Sequence, residues 1–282
     1  LIITLGYNIV EFSPIHWNKS KEKKILHIDF KPSEVEEYYN PDLEVVGDVS
    51  NTLWVLREKL SNEQRKNPDY FFRLRETILK DHSEKANDNS FPLKPQRIIS
   101  DVRKALADDD IVISDVGMHK VWTARMYKTY EPNTCLIDNG LCSMGVSLPG
   151  AIAAKLVHPD KNVVVITGDG GFMMNSQEIE TAMRLKTNIV VVIFSDSKYG
   201  MIEWKQQIHH NKTYGIDFGN PDFVKYAESF GAKGYRVEKA EDFSKILKKA
   251  LSDKTVSIID VPIDYSENFE LVKKLGQMIC PV

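Results

Sequence analysis

Two aspartates of this sequence each follow a run of apolar, β-branched residues that predicts a buried strand. Asp169 comes after the run 163–167, and Asp196 comes after the run 189–194. Two carboxylates at neighbouring strand ends repel each other unless a cation lies between them. A hard cation such as Mg²⁺ prefers oxygen ligands and is often coordinated by substrate phosphates as well. The two acids are therefore candidate ligands for a divalent metal ion.

The segment between the two strands predicts a helix and thus a strand–helix–strand unit. Asn175 is the expected N-cap of this helix, with Glu178 as its capping-box partner. A right-handed crossover makes the two strands parallel, so both acids are expected at one edge of the sheet, where ligands bind in open α/β sheets. Gly170 and Gly171 leave space for a phosphate to approach backbone N–H groups.

These residues resemble the diphosphate-binding motif of the thiamine-diphosphate-dependent enzymes, which is Gly-Asp-Gly, a helix and strand of nearly constant length, then Asn or Asp. The stretch GDGGFMMNSQEIETAMRLK most resembles the catabolic acetolactate synthases, whose second acid is also Asp. The resemblance implies that Asp169, Asp196 and the main-chain carbonyl of Lys198 hold Mg²⁺. Many members have Asn at the position of Asp196. The alternative is a pair of ordinary strand-end turns rich in Gly and Asp.

The resemblance also implies further cofactor contacts. The Gly117-Met118-His119 segment matches one that lies beside the diphosphate, although His119 could equally be a helix cap. Met144 matches the apolar residue that supports the V-shaped cofactor, with core filling as the alternative, and Cys142 would contribute its main-chain carbonyl. The implied cofactor-binding residues are Gly117, Met118, His119, Cys142, Met144, Gly168, Asp169, Gly170, Gly171, Tyr199, Gly200 and Met201.

Composition excludes some classes of protein. The 282 residues have a formal net charge of −3, which offers no electrostatic footprint for nucleic acid. No apolar run approaches the roughly 20 residues of a membrane span. The three cysteines, Cys135, Cys142 and Cys280, lack metal or redox spacing, and with no evident signal peptide this favours a cytoplasmic location.

The pattern of strands and helices predicts an α/β protein with a parallel-sheet, Rossmann-like thiamine-diphosphate-binding fold and part of a second α/β domain. Residues 1–60 are interpreted as the C-terminal part of a central Rossmann-like domain, in which Ser50 is expected to cap a helix. Residues 61–93 are predicted to be a linker with a helix, 94–265 a diphosphate-binding domain, and 266–282 a tail. Pro221 is expected to begin a helix. The chain starts at Leu1 within a strand-like run, which suggests a piece of a longer protein.

The function implied by the resemblance is that of an acetolactate synthase, which decarboxylates pyruvate and condenses it with a second pyruvate to give 2-acetolactate. The Glu that activates the cofactor would lie in a pyrimidine-binding domain absent from this chain, so no catalytic residue other than Met144 as a support is named. A partner subunit in a homodimer or homotetramer would complete the site, and the chain alone should be inactive. Anabolic relatives carry FAD in the central domain and catabolic ones do not, so FAD is less expected here, although the sequence does not decide it. The alternatives are another 2-oxo acid decarboxylase of the family, or a non-catalytic nucleotide-binding module.

Overall fold

The computed structural model describes residues 1–10, 12–61, 69–139 and 141–271. Within them the chain divides into two compact units, one of residues up to Phe72 together with Glu270 and Leu271, and one of Arg73–Phe269. The domain boundaries at 60, 93 and 265 remain predictions. Part of the predicted linker, 62–68, and most of the predicted tail, 272–282, lie outside the described residues.

The smaller unit contains a three-stranded parallel sheet in the order β1-β2-β3. Its strands are β1 (Ile2–Leu5), β2 (Ile25–Asp29) and β3 (Leu43–Val46). Helix α1 (Val49–Lys59) follows β3, and its N-cap is Asp48, whose side chain accepts from Asn51 N, so the prediction of Ser50 as the cap is wrong. The carboxylate of Asp48 reaches the first free N–H groups because it precedes the helix, whereas Ser50 already lies in the first turn. Helix α2 (Asp69–Ser83) spans the division between the units.

The larger unit is built on a six-stranded sheet, and every strand pairing in it is parallel. The strands, in the sheet order β5-β4-β6-β7-β9-β8, are β5 (Cys135–Ile137), β4 (Ile111–Ser114), β6 (Val163–Gly168), β7 (Val190–Ser195), β9 (Ser257–Pro262) and β8 (Lys233–Arg236). Strands β6 and β7 lie side by side near the middle of the sheet, and their side chains are almost all buried because helices cover both faces. The predicted parallel α/β fold is confirmed.

The helices of the larger unit lie between successive strands, except α3, which precedes β4. They are α3 (Pro95–Ala105), α4 (Met118–Met126), α5 (Ser147–Val157), α6 (Asp169–Met174), α7 (Glu178–Arg184), α8 (Gly200–His210), α9 (Phe223–Ser229) and α10 (Ala240–Ser252). Apolar side chains of α5, α7 and α9 join those of the strands in one buried cluster. Among the described residues, no helix is both long enough and apolar enough to cross a membrane.

Two further predicted helix starts, at Asn175 and Pro221, are wrong. The expected helix with Asn175 as its N-cap is two short helices, because α6 begins directly at Asp169 and Asn175 ends it, while α7 begins at Glu178 without a side-chain cap. Asn175 instead donates through Nδ2 to the carbonyl of Gly145 at 3.1 Å, so its side chain is committed to a tertiary contact rather than a cap. Helix α9 begins after Pro221, because the Asp222 carboxylate accepts from two backbone amides of its first turn.

Candidate functional site

Asp169 lies at the end of β6 and is almost fully buried, with 1% of its surface exposed. Its Oδ2 accepts three hydrogen bonds, from the backbone amides of Asp196 (3.0 Å) and Ser197 (2.6 Å) and from the side chain of Asn220 (2.7 Å). Its Oδ1 accepts from the amide of Gly170 at 2.8 Å. The carboxylate is therefore held at the carboxyl edge of the sheet by the segment that follows β7.

Asp196 follows β7 at the same edge, as the predicted parallel pairing of β6 and β7 requires. Burial, and then the nearby carboxylate of Asp169, raise the pKa of Asp196 from 3.8 to about 7. Both causes act here, because the two acids lie close together where water is largely excluded. Since a cation between them would relieve this cost, the pair fits a metal ion.

The turn after β7 depends on one residue in a left-handed conformation. Ser197 has a φ of 59°, a value that is uncommon outside glycine. This conformation turns the chain so that the Ser197 amide faces Asp169 while its carbonyl accepts from the amide of Phe218 at 3.1 Å. The amide of Tyr199 in turn donates to Ile216 at 2.9 Å. These two contacts bring the loop that contains Asn220 next to Asp169.

One pocket in the larger unit collects nearly all of the predicted site residues. Of the predicted set, the structure brings into its lining Gly117, Met118, His119, Met144, Gly168, Asp169, Gly170, Gly171, Asp196, Lys198, Tyr199, Gly200 and Met201. Cys142 is the exception, because its side chain is exposed and it does not line the pocket. Its expected contact is through the main-chain carbonyl and remains a prediction.

Glycines at the pocket are needed for close packing. A Cβ atom built at Gly170 would lie 2.9 Å from the ring of Tyr199, and one at Gly171 would lie 2.6 Å from Oδ2 of Asp115. Contacts below 3 Å are steric clashes, so side chains at these positions would push the Gly-Asp-Gly-Gly segment away from its neighbours. Because Gly170 and Gly171 have no side chains, the backbone of this segment itself lines the pocket.

Other residues of the site were missed by the sequence analysis. Asn220 binds Asp169, Tyr265 and Phe194 line the pocket, and Asp115 contacts His119 beneath it. Burial, followed by the nearby carboxylates, raises the pKa of Tyr265 well above its ordinary value. Asn220 and Tyr265 lie in loops without periodicity, and only Asp115, directly after a buried strand, had a signal comparable to that of Asp169.

The described side chains of the pocket do not by themselves supply a complete set of metal ligands. Among the described residues, no three His, Cys, Asp or Glu side chains lie close enough to form a metal site. Mg²⁺ is commonly held by one or two carboxylates with phosphates and other oxygens, rather than by a cage of protein side chains. Two carboxylates in a pocket that Lys198 also lines thus suit Mg²⁺ bound together with a phosphate-containing ligand.

Comparisons with known proteins show which family this chain resembles. The family model described as thiamine pyrophosphate enzyme, C-terminal TPP binding domain, matches residues 115–261. An acetolactate synthase of Bacillus subtilis (strain 168) is 37% identical over 290 residues, which cover 99% of this chain and 50% of that protein. A catabolic acetolactate synthase of Raoultella terrigena is 37% identical over 279 residues, covering 98% of this chain and 50% of that protein.

A more distant relative is a probable acetolactate synthase large subunit of Methanococcus aeolicus. It is 32% identical over 265 residues, which cover 88% of this chain and 44% of that protein. The chain therefore spans about half the length of the curated relatives it matches.

Proposed function

Because the chain belongs to the family of thiamine pyrophosphate enzymes, whose C-terminal TPP binding domain matches residues 115–261, we propose that it is part of an acetolactate synthase. The proposed reaction decarboxylates pyruvate and joins the remaining two-carbon unit to a second pyruvate. The names of the relatives, acetolactate synthase and catabolic acetolactate synthase, support this choice within the family.

The observation that carries the proposal is the position of Asp169 and Asp196 at the ends of neighbouring parallel strands, facing one pocket. Oδ2 of Asp169 is occupied by three hydrogen-bond donors, whereas Oδ1 accepts a single hydrogen bond among the described residues, from Gly170. Oδ1 is therefore the less crowded of the two oxygens and the better placed to bind a metal ion. In this proposal Asp169, Asp196 and the carbonyl of Lys198 hold Mg²⁺, which binds the diphosphate of the cofactor.

The remaining pocket residues orient the cofactor and limit the access of water. Met144, Phe194, Met201 and Ile202 supply apolar surface, and the low dielectric that follows strengthens electrostatic interactions inside the pocket. When bound, thiamine diphosphate supplies the electron sink for decarboxylation and carbon–carbon bond formation. Met144 is the proposed support for the bent cofactor.

The proposal includes a partner. The group that activates the cofactor by proton transfer is expected from a pyrimidine-binding domain of a second subunit in a homodimer or homotetramer.

The substrate is a small 2-oxo acid, pyruvate. A cytoplasmic location remains a prediction from the spacing of the cysteines.

Calorimetry with thiamine diphosphate tests the proposal on the 282-residue chain. We expect binding in the presence of Mg²⁺ and much weaker binding without it. Asp169→Ala should weaken the Mg²⁺-dependent binding by at least tenfold, because it removes a metal ligand and the acceptor of four hydrogen bonds. Activity on pyruvate is measured separately, in the complete enzyme that contains this sequence.

Asp110 offers a matched control. It is also buried and accepts hydrogen bonds from backbone amides, those of Ala107 and Asn162, but it lies at the opposite end of β4 and does not line the pocket. The folded fraction of Asp110→Ala should therefore bind the cofactor with the affinity of the unmodified chain. Metal-independent binding of thiamine diphosphate, or binding of adenine nucleotides alone, would contradict the proposal.

A further inference from the structure

Asp115 is a buried carboxylate to which neither the sequence analysis nor the proposed function assigns a role. It follows β4, and its side chain is fully buried. Oδ1 lies 2.8 Å from Nε2 of His119, and Oδ2 accepts the backbone N–H of Gly145 at 2.7 Å. One carboxylate thus connects the end of β4, the start of α4 and the loop that leads from Met144 into α5.

The same carboxylate contacts the Gly-Asp-Gly-Gly segment. The space that a Cβ of Gly171 would occupy is taken by Oδ2 of Asp115, at 2.6 Å. Asp115 is therefore in contact with three of the segments that surround the proposed cofactor pocket, although it is not in the lining of the pocket itself. A group in this position can act on the cofactor only through its neighbours.

The ring of His119 is held in one orientation. Nε2 faces Asp115, and the ring edge that carries Nδ1 lies against two glycines. Cβ atoms built at Gly117 and Gly168 would lie 2.7 Å and 3.1 Å from Nδ1. Phe194 packs edge-on to the ring, with the centroids 6.4 Å apart. These contacts leave the ring little freedom to rotate. His119 nevertheless lines the pocket, so the orientation of its ring affects the site.

This orientation has a chemical consequence for the proton on the ring. An ionised carboxylate has only acceptors, so the contact at 2.8 Å requires Nε2 to carry the hydrogen. A neutral imidazole has one N–H, and in that state Nδ1 is left with a lone pair. Carboxylates fix the tautomer of histidine in this way at many functional sites.

We propose that Asp115 is a positioning residue of the cofactor site, which fixes the tautomer and orientation of His119 and anchors the Gly145 amide beside the Gly-Asp-Gly-Gly segment. The ligand on which it acts, through these neighbours, is the anionic diphosphate. The inference rests on the proposed function, because it assumes that the pocket binds a diphosphate. It goes further by assigning the arrangement of three separate segments to one buried side chain.

Nitrogen NMR of the histidine rings tests the tautomer in the ligand-free chain at neutral pH. The chain has seven histidines, and the His119 signals are identified by their loss in His119→Gln. We expect the hydrogen on Nε2. In Asp115→Asn, the amide can donate to Nε2 while its oxygen still accepts from Gly145, so the ring hydrogen should move to Nδ1. A hydrogen on Nδ1 of a neutral ring in the unmodified chain, or no change in Asp115→Asn, would overturn the inference.

Calorimetry with Mg²⁺ and either thiamine diphosphate or inorganic pyrophosphate tests the effect on binding. Asp115→Ala should weaken both by on the order of 10- to 100-fold, by analogy with the loss of outer partners of metal ligands. The loss in Asp115→Ala/His119→Gln should be smaller than the product of the two single losses, since Asp115 acts partly through His119. Asp110→Ala is the control for the removal of a buried carboxylate.

The two hypotheses fail in different ways. If the unmodified chain binds neither ligand with Mg²⁺, the proposed function fails, whatever the state of the histidine ring. If the unmodified chain binds them and Asp115→Ala binds within twofold as well, the inference alone fails. If Asp115→Ala does not fold, the NMR result for Asp115→Asn decides.

Discussion

The side-chain amide of Asn220 donates to Oδ2 of Asp169 at 2.7 Å, although the two residues are 51 positions apart in the chain. Nδ2 of the same amide also lies 3.1 Å from the hydroxyl of Ser197. Oδ1 of Asn220 is buried and has no hydrogen-bond partner in the described part of the chain. Because a buried carbonyl without a partner costs free energy, the fold retains Asn220 at some expense. The contact restrains the rotation of the Asp169 carboxylate, which lines the pocket.

Asn220→Ala should weaken Mg²⁺-dependent binding of thiamine diphosphate by about tenfold, the lower end of the range for outer partners of metal ligands. The carboxylate keeps its backbone donors but loses one restraint on its rotation. Calorimetry at fixed Mg²⁺ measures the change.

The control is Asn162→Ala, which removes a comparable bond, 3.0 Å from Nδ2 of Asn162 to Asp110, at the other end of the sheet. Equal affinities of Asn220→Ala and the unmodified chain would show that the bond does not help Asp169 to hold the metal ion.

Asp196→Asn should retain Mg²⁺-dependent binding of thiamine diphosphate. The amide oxygen can coordinate the metal, and Asn is the residue at this position in many thiamine-diphosphate enzymes. The same titration that tests Asp169→Ala measures the result, and Asp169→Ala is the comparison in which binding should be weakened by at least tenfold. Complete loss of binding in Asp196→Asn would count against Asp196 as a metal ligand.

The stability of the metal-free chain should depend on pH through Asp196. Its pKa is raised in the folded state from 3.8 to about 7, so the folded chain binds a proton more tightly than the unfolded chain does. The stabilisation is fully present below pH 3.8 and is lost as pH rises to about 7. A shift of this size corresponds to about 4 kcal/mol at most.

Urea unfolding of the unmodified chain and of Asp196→Asn, at several pH values without metal, isolates this contribution. Relative to the unmodified chain, Asp196→Asn should become more stable as pH rises from 4 to 7. Added Mg²⁺ should reduce the difference above pH 7 by binding the ionised acids. A difference in free energy of unfolding that does not change with pH would exclude the expected titration.

Gly171→Ala should destabilise the chain by about 1–3 kcal/mol, the usual cost of inserting a group into a packed site. The new Cβ would meet Oδ2 of Asp115 at 2.6 Å, within α6. In an open helix the same change would stabilise by up to about 1 kcal/mol, so the sign of the effect distinguishes the two cases. Thermal unfolding measures it.

Gly219→Ala is the control for Gly171→Ala, because a Cβ at Gly219 would have no atom within 4 Å. Its stability should remain within about 0.5 kcal/mol of that of the unmodified chain. If Gly171→Ala is as stable as this control or more so, the close packing of the segment against Asp115 is not a constraint.

Much of the fold could be predicted because the strands are distinct in the sequence. The apolar, β-branched runs before Asp169 and Asp196 correspond to β6 and β7 of the structure. The parallel order of these strands follows from the helical crossover between them, which the sequence pattern is sufficient to indicate. Because parallel neighbouring strands end at the same edge of the sheet, the sequence alone was enough to predict that both acids lie there.

The partners of those acids needed the tertiary structure. Asn220 lies in a loop and contacts the carboxylate of Asp169, whereas Asp115 is buried and contacts the ring of His119 and the amide of Gly145. Neither the spacing nor the periodicity of the sequence indicates these partners. The error at Asn175 has the same origin: its local pattern suits a helix cap, but a longer-range bond to Gly145 uses its side chain. Local propensity determines where strands occur, whereas contacts between segments far apart in the chain depend on how the whole sheet and its loops pack.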